Sequence, residues 1–442
     1  MATRRSIFLA LVVSLVFPTI GWTQGLPVVA PADVGLSSER LERLEQVVQG
    51  YIDANAVAGA VTLVARKGGQ AHLQAYGMAD RATGRAMTPD AIFRFASMTK
   101  PITSVAVMML YEEGHFKLND PVGRYIPELS SLEILSTNEG GGDGFERVAA
   151  ERSITIRQLL THTSGISYRF LGDLGATPAQ SHVSELYGSA GIVDGLSEYT
   201  GTIQDMVNNL GELPLLHEPG AAFTYGLSTD VLGRLVEVVS GMSFDEFLRA
   251  RLFEPLGMND TFFYIPADKA NRLASLYTPN AAGNLDEVDG TVEGEHLVYS
   301  ATYSAGPART NFSGGAGLHS TIFDYSRFLQ MLLNGGSFGG VRILSPVTVD
   351  LMTRDHIGEI PNGSVVAPGS GGFGLGFAIT GEPGVDGELG SAGAYYWSGF
   401  FNTSFWVDPK EQLFGILLTQ VFPSGSDIQE KFRLMTYQTI VN

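Results

Sequence analysis

Apolar and polar positions change their spacing from one part of the chain to the next. After a capping serine, Ser37 or Ser38, apolar residues recur on one helical face as far as about Asn55, which predicts a first helix. Residues 61–66 and 72–76 instead alternate as β-strands do, and the glycine-containing turn between them is typical of a hairpin. This part of the chain therefore predicts a helix followed by a β-hairpin.

The middle of the chain has helical patterns that are separated by long connections. Apolar residues recur at helical spacing within 155–160 and 229–252, whereas Gly, Ser and Pro fill many of the segments between such patterns. The glycine-rich residues 136–147 predict a surface insertion. β-type patterns return near the C-terminus, where strands are predicted at 374–379, 405–407 and 413–419, and a closing helix at 426–440.

Strands at both ends and helices between them predict an α/β fold of the α+β kind, with an antiparallel sheet flanked by helices. The predicted sheet domain is discontinuous and consists of residues 25–96 and 296–442. Residues 97–295 are predicted to form an inserted, mainly helical domain. A cleft between the two domains would then hold the site.

Charge and cysteine content narrow the range of partners. The 442 residues include 28 Lys and Arg against 46 Asp and Glu, and the resulting net charge of −18 argues against nucleic acid as a partner. Cysteine is absent, which excludes disulfides, thiolate metal sites and a cysteine nucleophile. The eight histidines include no His-Glu-x-x-His pattern, so neither a metal nor a cofactor is predicted.

Residues 1–24 have the pattern of a secretory signal peptide. Arg4 and Arg5 precede an apolar run at 7–17, which is followed by a proline and small residues. About eleven apolar residues are fewer than the roughly twenty that span a bilayer. We therefore expect export to the periplasm or the medium, without a stable membrane anchor.

Ser97 and Lys100 are the first candidates for chemistry. They are three residues apart at the predicted start of a helix, so the lysine amine would lie on the same face as the serine hydroxyl. Pro101 is compatible with the first turn of that helix, because its missing N–H would have no partner there. Lys100 is the only lysine with a serine three residues before it, and it lies within an apolar stretch. This arrangement favours a serine nucleophile with a basic neighbour.

A lysine can act as a base near neutral pH only if its surroundings lower its pKa. The fall from about 10.4 is roughly three units, which costs on the order of 4 kcal/mol. Tyr225, in a turn-rich segment before a helical pattern, is the candidate for a second group in the proton transfer. The sequence leaves open whether Lys100 or Tyr225 takes the proton.

Two other motifs offer competing nucleophiles. Residues 335–339 fit Gly-x-Ser-x-Gly, but a helical pattern precedes them where the nucleophile elbow of α/β-hydrolases needs a strand. His162 and Ser164 would suit a histidine-assisted serine, yet a capped turn after Leu160 explains them more simply. Neither motif is a better candidate for the nucleophile than Ser97.

Five segments occur in the order found in serine β-lactamase-like hydrolases: 97–100, 159–165, Tyr225 after 218–220, 314–318 and 397–399. The chain after the leader resembles most the family VIII carboxylesterases, relatives of class C β-lactamases and D-stereospecific peptidases. The resemblance implies a β-lactamase/penicillin-binding-like fold and acyl-enzyme chemistry. It also implies that Ser97 is the nucleophile, that Lys100 and Tyr225 are the base system, and that the oxyanion hole consists of the Ser97 and Phe400 backbone N–H groups.

Two departures from the class C pattern bear on the substrate. Leu227 stands where those enzymes have an asparagine, and Trp397 stands where they have the lysine of Lys-Thr-Gly. An indole therefore replaces the cation that attracts a substrate carboxylate. Trp397, Ser398, Gly399, Leu227 and Ser228 are predicted to bind the substrate, with Trp397 as a wall of the acyl pocket.

The sequence thus predicts an exported serine carboxylesterase whose partner is a small-molecule ester with a short to medium acyl chain. Ser97 would carry the acyl group, and no cofactor would take part. A β-lactamase or D-amino-acid peptidase, an acyltransferase, and a catalytically silent penicillin-binding-like module are the alternatives. The sequence makes no prediction of oligomeric state.

Overall fold

The computed structural model describes residues 25–137, 144–174, 177–305, 309–358, 360, 371–383 and 389–442, which form one large sheet, several short hairpins and a set of helices. The strands are β1 (Gly59–Arg66), β2 (Gly69–Asp80), β3 (Arg85–Ala86), β4 (Phe93–Arg94), β5 (Glu133–Thr137), β6 (Phe145–Ala149), β7 (Tyr277–Pro279), β8 (Leu285–Glu287), β9 (Thr291–Glu293), β10 (Val298–Ser300), β11 (His319–Ser320), β12 (Ser337–Phe338), β13 (Val341–Arg342), β14 (Ala378–Ile379), β15 (Tyr395–Gly399), β16 (Thr403–Asp408) and β17 (Leu413–Leu418). The α-helices are α1 (Ser38–Asp53), α2 (Thr99–Glu112), α3 (Ile156–Leu160), α4 (Pro178–Ser189), α5 (Ile203–Gly211), α6 (Ser228–Ser240), α7 (Phe244–Leu248), α8 (Glu254–Leu256), α9 (Ile322–Leu333), α10 (Pro346–Met352) and α11 (Ile428–Gln438).

The large sheet has seven antiparallel strands in the order β14-β15-β16-β17-β1-β2-β3. The two β-rich parts of the chain meet inside it, where β17 pairs with β1 and Leu418 lies opposite Val61. Side chains along β1 alternate between two cores, with Val61 and Leu63 in one and Ala60 and Val64 in the other. Because both faces are covered, every residue of β1 is buried.

Helices cover both faces of this sheet. α1 and α11 pack together on one face, where Leu44 and Phe432 share a core with Trp406. α9 packs on the other face against β1, β16 and β17, and α2 contributes Ile102 to the same core. The predicted fold class, an antiparallel sheet flanked by helices, is therefore confirmed.

Several predicted elements are confirmed with small shifts at their ends. α1 begins at Ser38, and the Ser37 hydroxyl caps it by accepting the Arg40 N–H at 3.3 Å. β1 and β2 form the predicted hairpin, and β16, β17 and α11 coincide with the predicted C-terminal strands and helix. These elements could be predicted from the local sequence because the apolar residues of each one recur with a single clear period.

Three predictions need correction. Residues 229–252 are not one helix, since Gly241 at φ 72° ends α6 before α7 begins. Only the last two residues of the predicted strand 374–379 pair in the sheet, because the Gly374 N–H and the Phe377 carbonyl close a turn before them. The predicted insertion at 136–147 is bordered by β5 and β6, which pair as a hairpin, and residues 138–143 lie outside the described residues.

The boundaries of the two domains stay a prediction, and the predicted signal peptide at 1–24 lies outside the described residues. Among the residues that the structure describes, no helix combines the length and the apolar character needed to cross a bilayer.

Candidate active site

A strained turn carries the chain into the segment that contains Ser97. Phe95 follows β4 and donates its N–H to the Leu318 carbonyl at 3.0 Å. Ala96 then adopts a φ of 44°, a left-handed conformation that residues with a Cβ disfavour. A 3-10 turn at Ala96–Met98 leads directly into α2. The half-buried Ser97 therefore lies at the start of a helix, and Pro101 falls in its first turn as predicted.

Three oxygen atoms surround the Lys100 amine. Its Nζ donates to the Tyr168 hydroxyl and to the Gly315 carbonyl, both at 2.8 Å, and lies 3.2 Å from Ser97 Oγ. A neutral amine has two N–H groups and one lone pair. Since the two shorter contacts take the two N–H groups, the lone pair of neutral Lys100 is directed at Ser97. This geometry suits transfer of the serine proton to the amine.

Burial makes that neutral form accessible. Lys100 is 1% exposed, and burial lowers its pKa to about 7, against the opposing effect of the Asp230 and Asp194 carboxylates. Burial likewise raises the pKa of Asp194 to about 7, although the Arg169 and Phe170 N–H groups favour its charged form. The amine thus loses its proton near neutral pH, as the sequence argument required.

Tyr225 is the second predicted base, and it lies against the same groups. Its ring centroid is 4.5 Å from Lys100 Nζ and 5.4 Å from the Trp397 ring. Burial raises the pKa of the Tyr225 phenol, and the interactions of its hydroxyl with Ser97 and Trp397 oppose that rise only in part. Tyr225 therefore carries its proton at neutral pH, while Lys100 is partly deprotonated.

Two side chains that sequence reasoning missed complete the surroundings of Lys100. Tyr168 is buried and presents its hydroxyl to the amine, and burial raises the pKa of that phenol. Asp230, on α6, accepts the Ser313 hydroxyl at 2.6 Å and the Gly315 N–H at 3.3 Å. Gly315 in turn presents its carbonyl to Lys100. Asp230 therefore influences the amine through its charge and through the loop that holds it.

The glycines at 314–317 allow this close packing. A Cβ on Gly315 would collide with the Asp230 carboxylate and the Tyr168 hydroxyl, and a Cβ on Gly314 would collide with the Thr229 carbonyl. Thr103, on α2, donates its hydroxyl to the Gly314 carbonyl at 2.7 Å. The segment 314–318 thus supports the Lys100 amine through its backbone.

The two predicted oxyanion donors lie on adjoining segments. β15 ends at Gly399, where a Cβ would collide with the Phe95 carbonyl and the Thr403 side chain. This close approach brings the start of the turn after β15 against the turn that precedes Ser97. Phe400 is the next residue, so the arrangement is compatible with the Ser97 and Phe400 N–H groups acting together.

The predicted substrate-binding side chains lie in three different places. Trp397 is 8% exposed and packs against Tyr225 and Phe373, on the same side of β15 as Lys100 and Tyr225. Ser398 is exposed and borders a groove between β15, β16 and α11, on the opposite side of the strand. Leu227 is fully buried, and Ser228 is fully buried with its hydroxyl 2.8 Å from Ser164 Oγ. These last two side chains have no exposed surface in this structure, and their predicted contact with a substrate stays a prediction.

An aromatic cluster lies beside the proposed oxyanion residue. The Phe400 ring stacks on Phe422 with 3.8 Å between centroids, and Phe170 and Tyr299 contact Phe400 at 5.8 and 6.0 Å. Phe170 lies two residues after Tyr168, in the 3-10 turn Arg169–Asp173. Aromatic side chains therefore line this side of the site, which suits an apolar group better than a charged one.

The competing nucleophiles lack the partners they would need. Ser337 lies in the short β12–β13 hairpin after α9, so no strand-to-helix elbow exists there. The Ser164 and Ser228 hydroxyl groups form a hydrogen bond with each other. The His162 Nδ1 accepts the Gly226 N–H instead of contacting Ser164. Of these three candidate serines, Ser97 is the one with a basic partner at hydrogen-bonding distance.

One group of side chains within the described residues could hold a metal ion. Ligand atoms of Asp173, Glu295 and His296 lie within 4.8 Å of one another. The Asp173 carboxylate already accepts the backbone N–H groups of His296 and Leu297 at 2.9 and 2.8 Å. The polar contacts of Ser97 and Lys100 involve none of these residues.

The charge of Asp230 predicts a shift in the pH profile. Asp230→Asn removes a negative charge that raises the Lys100 pKa, so the pH at which the rate rises to half its maximum should fall. The measurement is kcat/KM for a neutral ester against pH. Asp268→Asn, which changes an exposed carboxylate, is the control. An unchanged midpoint in Asp230→Asn would contradict the assigned coupling.

Comparison with known proteins decides the family. The family model described as Beta-lactamase matches residues 44–439. The chain belongs to the beta-lactamase family. Within this family, esterase EstB of Burkholderia gladioli is 31% identical over 388 residues, covering 87% of this chain and 91% of EstB. Lovastatin esterase of Penicillium rubens is 28% identical and covers 87% of this chain and 94% of its own.

A solved structure of the same fold agrees with these relatives. EstCE1, described as a hydrolase with promiscuous acyltransferase activity, superposes with a TM-score of 0.74 at 28% identity, covering 90% of this chain and 98% of its own. The protein is therefore a serine hydrolase of the beta-lactamase fold, similar to esterases of that family.

Proposed function

We propose that the protein is a carboxylesterase that hydrolyses neutral esters of short to medium acyl chains through an acyl-enzyme on Ser97. The observation that carries this proposal is the Lys100 amine, fixed by Tyr168 and Gly315 and placed 3.2 Å from Ser97 Oγ. The amine is close enough to act as a base for Ser97, and its two N–H groups are already bonded to Tyr168 and Gly315. This arrangement suits nucleophilic attack by the serine.

Acylation would proceed in two steps. Lys100 takes the proton of Ser97 as Oγ bonds to the ester carbonyl carbon, and the carbonyl electron pair moves to oxygen, facing the Ser97 and Phe400 N–H groups. When this intermediate collapses, the bond to the alcohol oxygen breaks and the leaving alkoxide takes a proton from Tyr225. Water then attacks the acyl-enzyme, with the same groups in reversed roles, and releases the carboxylic acid.

The surroundings favour a neutral ester over an anionic lactam. Trp397 occupies the position of the class C cation, and the aromatic cluster around Phe400 adds apolar surface. The net charge of −18 further disfavours anionic substrates. The printed names of EstB and lovastatin esterase support the same class of reaction.

Acyl transfer to an alcohol is the second candidate. It uses the same acyl-enzyme and differs only in the acceptor, and EstCE1 is described as having promiscuous acyltransferase activity. Product analysis of an ester incubated with and without an added alcohol separates the two reactions. A new ester of the added alcohol would form only if the protein transfers the acyl group to that alcohol.

We also propose that the protein is exported, on the basis of the pattern at residues 1–24. N-terminal sequencing of protein recovered from the periplasm or medium of an expressing bacterium would test this. A mature terminus near residue 24 supports export, whereas an intact Met1 in the cytoplasm contradicts it.

Side-by-side rates on two chromogenic substrates test the proposed ester preference. We expect kcat/KM for p-nitrophenyl butyrate to exceed that for a chromogenic cephalosporin. A cephalosporin rate well above the ester rate would favour a β-lactamase instead. Absence of turnover on both, together with no adduct on Ser97 after treatment with a serine-directed phosphonate, would favour a silent penicillin-binding-like module.

A pair of neighbouring substitutions tests the place of Trp397 in the acyl pocket. Trp397→Phe removes one ring from the wall, so the ratio of kcat/KM for a longer acyl ester to that for an acetate ester should rise by about tenfold. Ser398→Ala is the matched control, because Ser398 lies on the other side of the strand. An equal change of the ratio in both variants would contradict the assignment.

A further inference from the structure

We propose that His162 is a positioning residue for Tyr225, which it holds in place against Ser97 by accepting backbone N–H groups from both neighbours of the tyrosine. The proposal rests on the role of Tyr225 in the proposed function. It assigns a purpose to a histidine that the mechanism does not otherwise use.

The backbone of His162 is the first observation. α3 ends at Leu160, and the next turn closes with the His162 N–H on the Leu159 carbonyl and the Thr163 N–H on the Gln158 carbonyl, at 3.3 and 2.9 Å. This C-terminal motif requires a left-handed residue, and His162 has a φ of 53°. Glycine fits that position with less strain, so a histidine there indicates a use for its side chain.

The second observation is a contact on each side of Tyr225. The His162 carbonyl accepts the Thr224 N–H at 2.7 Å, and its Nδ1 accepts the Gly226 N–H at 3.3 Å. The imidazole ring packs against the Tyr225 ring with 4.9 Å between centroids. One residue therefore fixes the backbone before and after the tyrosine and also supports its ring.

The form of the imidazole follows from these contacts. Because Nδ1 accepts a hydrogen bond, the proton of the neutral ring lies on Nε2. Burial, and next the charge of Lys100, lower the pKa of His162 well below its usual value, so the ring stays neutral at working pH. Within the described residues, Nε2 is buried without a hydrogen-bond partner. The contribution of His162 is thus an acceptor at the Nδ1 position and not a proton transfer.

Three substitutions test this assignment. His162→Asn keeps an acceptor where Nδ1 lies, and asparagine tolerates a left-handed backbone. His162→Gly keeps the backbone conformation but removes the acceptor, whereas His162→Gln moves the acceptor toward the Nε2 position. We expect His162→Asn to keep kcat within about threefold, and the Gly and Gln variants to lower kcat by about tenfold or more with little change in KM.

Tyr225→Phe, measured beside them with thermal unfolding of every variant, separates the two proposals. If Tyr225→Phe keeps normal activity, the proposed role of Tyr225 is wrong, and the positioning proposal falls with it. If Tyr225→Phe is slow but folded Gly and Gln variants have wild-type kcat, only the positioning proposal is overturned. An Asn variant as slow as the others overturns it too, because the acceptor would then not matter. Should the Gly variant be unfolded at the assay temperature, the Asn and Gln pair decides.

Discussion

Ser97→Ala should abolish turnover of esters, lowering kcat by about 10⁴-fold or more, as removal of a nucleophile does in other serine hydrolases. The change removes one oxygen from a half-buried residue, so the fold should persist. The variant should also fail to gain mass with a serine-directed phosphonate, because no oxygen remains to bond to phosphorus. Steady-state rates and intact-protein mass spectrometry measure the two effects independently.

Ser337→Ala is the matched control, since Ser337 is the serine of the competing Gly-x-Ser-x-Gly motif. It lies in the β12–β13 hairpin, after α9, and should leave both rate and labelling unchanged. Loss of activity in Ser337→Ala with normal activity in Ser97→Ala would reverse the assignment. Loss in both, with lower thermal stability, would point to folding instead of chemistry.

The sequence was sufficient to predict the parts of the site that depend on residue spacing within one helix. Ser97 and Lys100 are three residues apart at a helix start, and the structure brings their reactive atoms to 3.2 Å. The hairpin β1–β2 and the helices α1 and α11 were likewise predictable, because each has one period and a clear end. The family motifs supplied Tyr225, which no local pattern distinguishes from a structural tyrosine.

The rest of the site depends on contacts between distant segments. Tyr168 and Asp230 both act on Lys100, yet they lie 68 and 130 residues away along the chain. Burial of Leu227 and Ser228 follows from packing in the core around α6, which sequence position near a tyrosine does not reveal. Ser398 was assigned with Trp397 as part of one motif, although adjacent strand residues point to opposite sides.

Backbone strain is the other feature that spacing does not reveal. Ala96, directly before Ser97, and His162, which contacts both neighbours of Tyr225, have φ values of 44° and 53°. Neither is glycine, so each conformation must be held by its surroundings. The two strained residues adjoin the proposed nucleophile and the proposed proton donor. Both of these proposed catalytic side chains are therefore placed by backbone that the rest of the fold constrains.

Lys100→Ala should lower kcat/KM by about 10³-fold, because general-base catalysis contributes roughly 10² to 10⁴. In the wild type, only neutral Lys100 accepts the Ser97 proton, so kcat/KM should rise with pH through about 7 and level off above it. Asp194, which also has a raised pKa of about 7, titrates in the same range and must be distinguished. A pH profile of the wild type alone does not separate the two groups.

Lys100→Arg provides that separation, because a guanidinium keeps its proton at every pH of the assay. It retains the positive charge but removes the base, so the residual rate should be as low as in Lys100→Ala and should lose the rise near pH 7.

If the rise persists at the same pH in Lys100→Arg, the titrating group is Asp194 and the amine is not the base. If Lys100→Arg keeps near-normal activity, charge alone is what Ser97 requires. Tyr225 would then have to take the serine proton, and because its pKa is raised, the rate of Lys100→Arg should keep rising to a pH well above neutral. The wild-type profile and the Lys100→Arg profile together therefore decide which of the two groups removes the proton from Ser97.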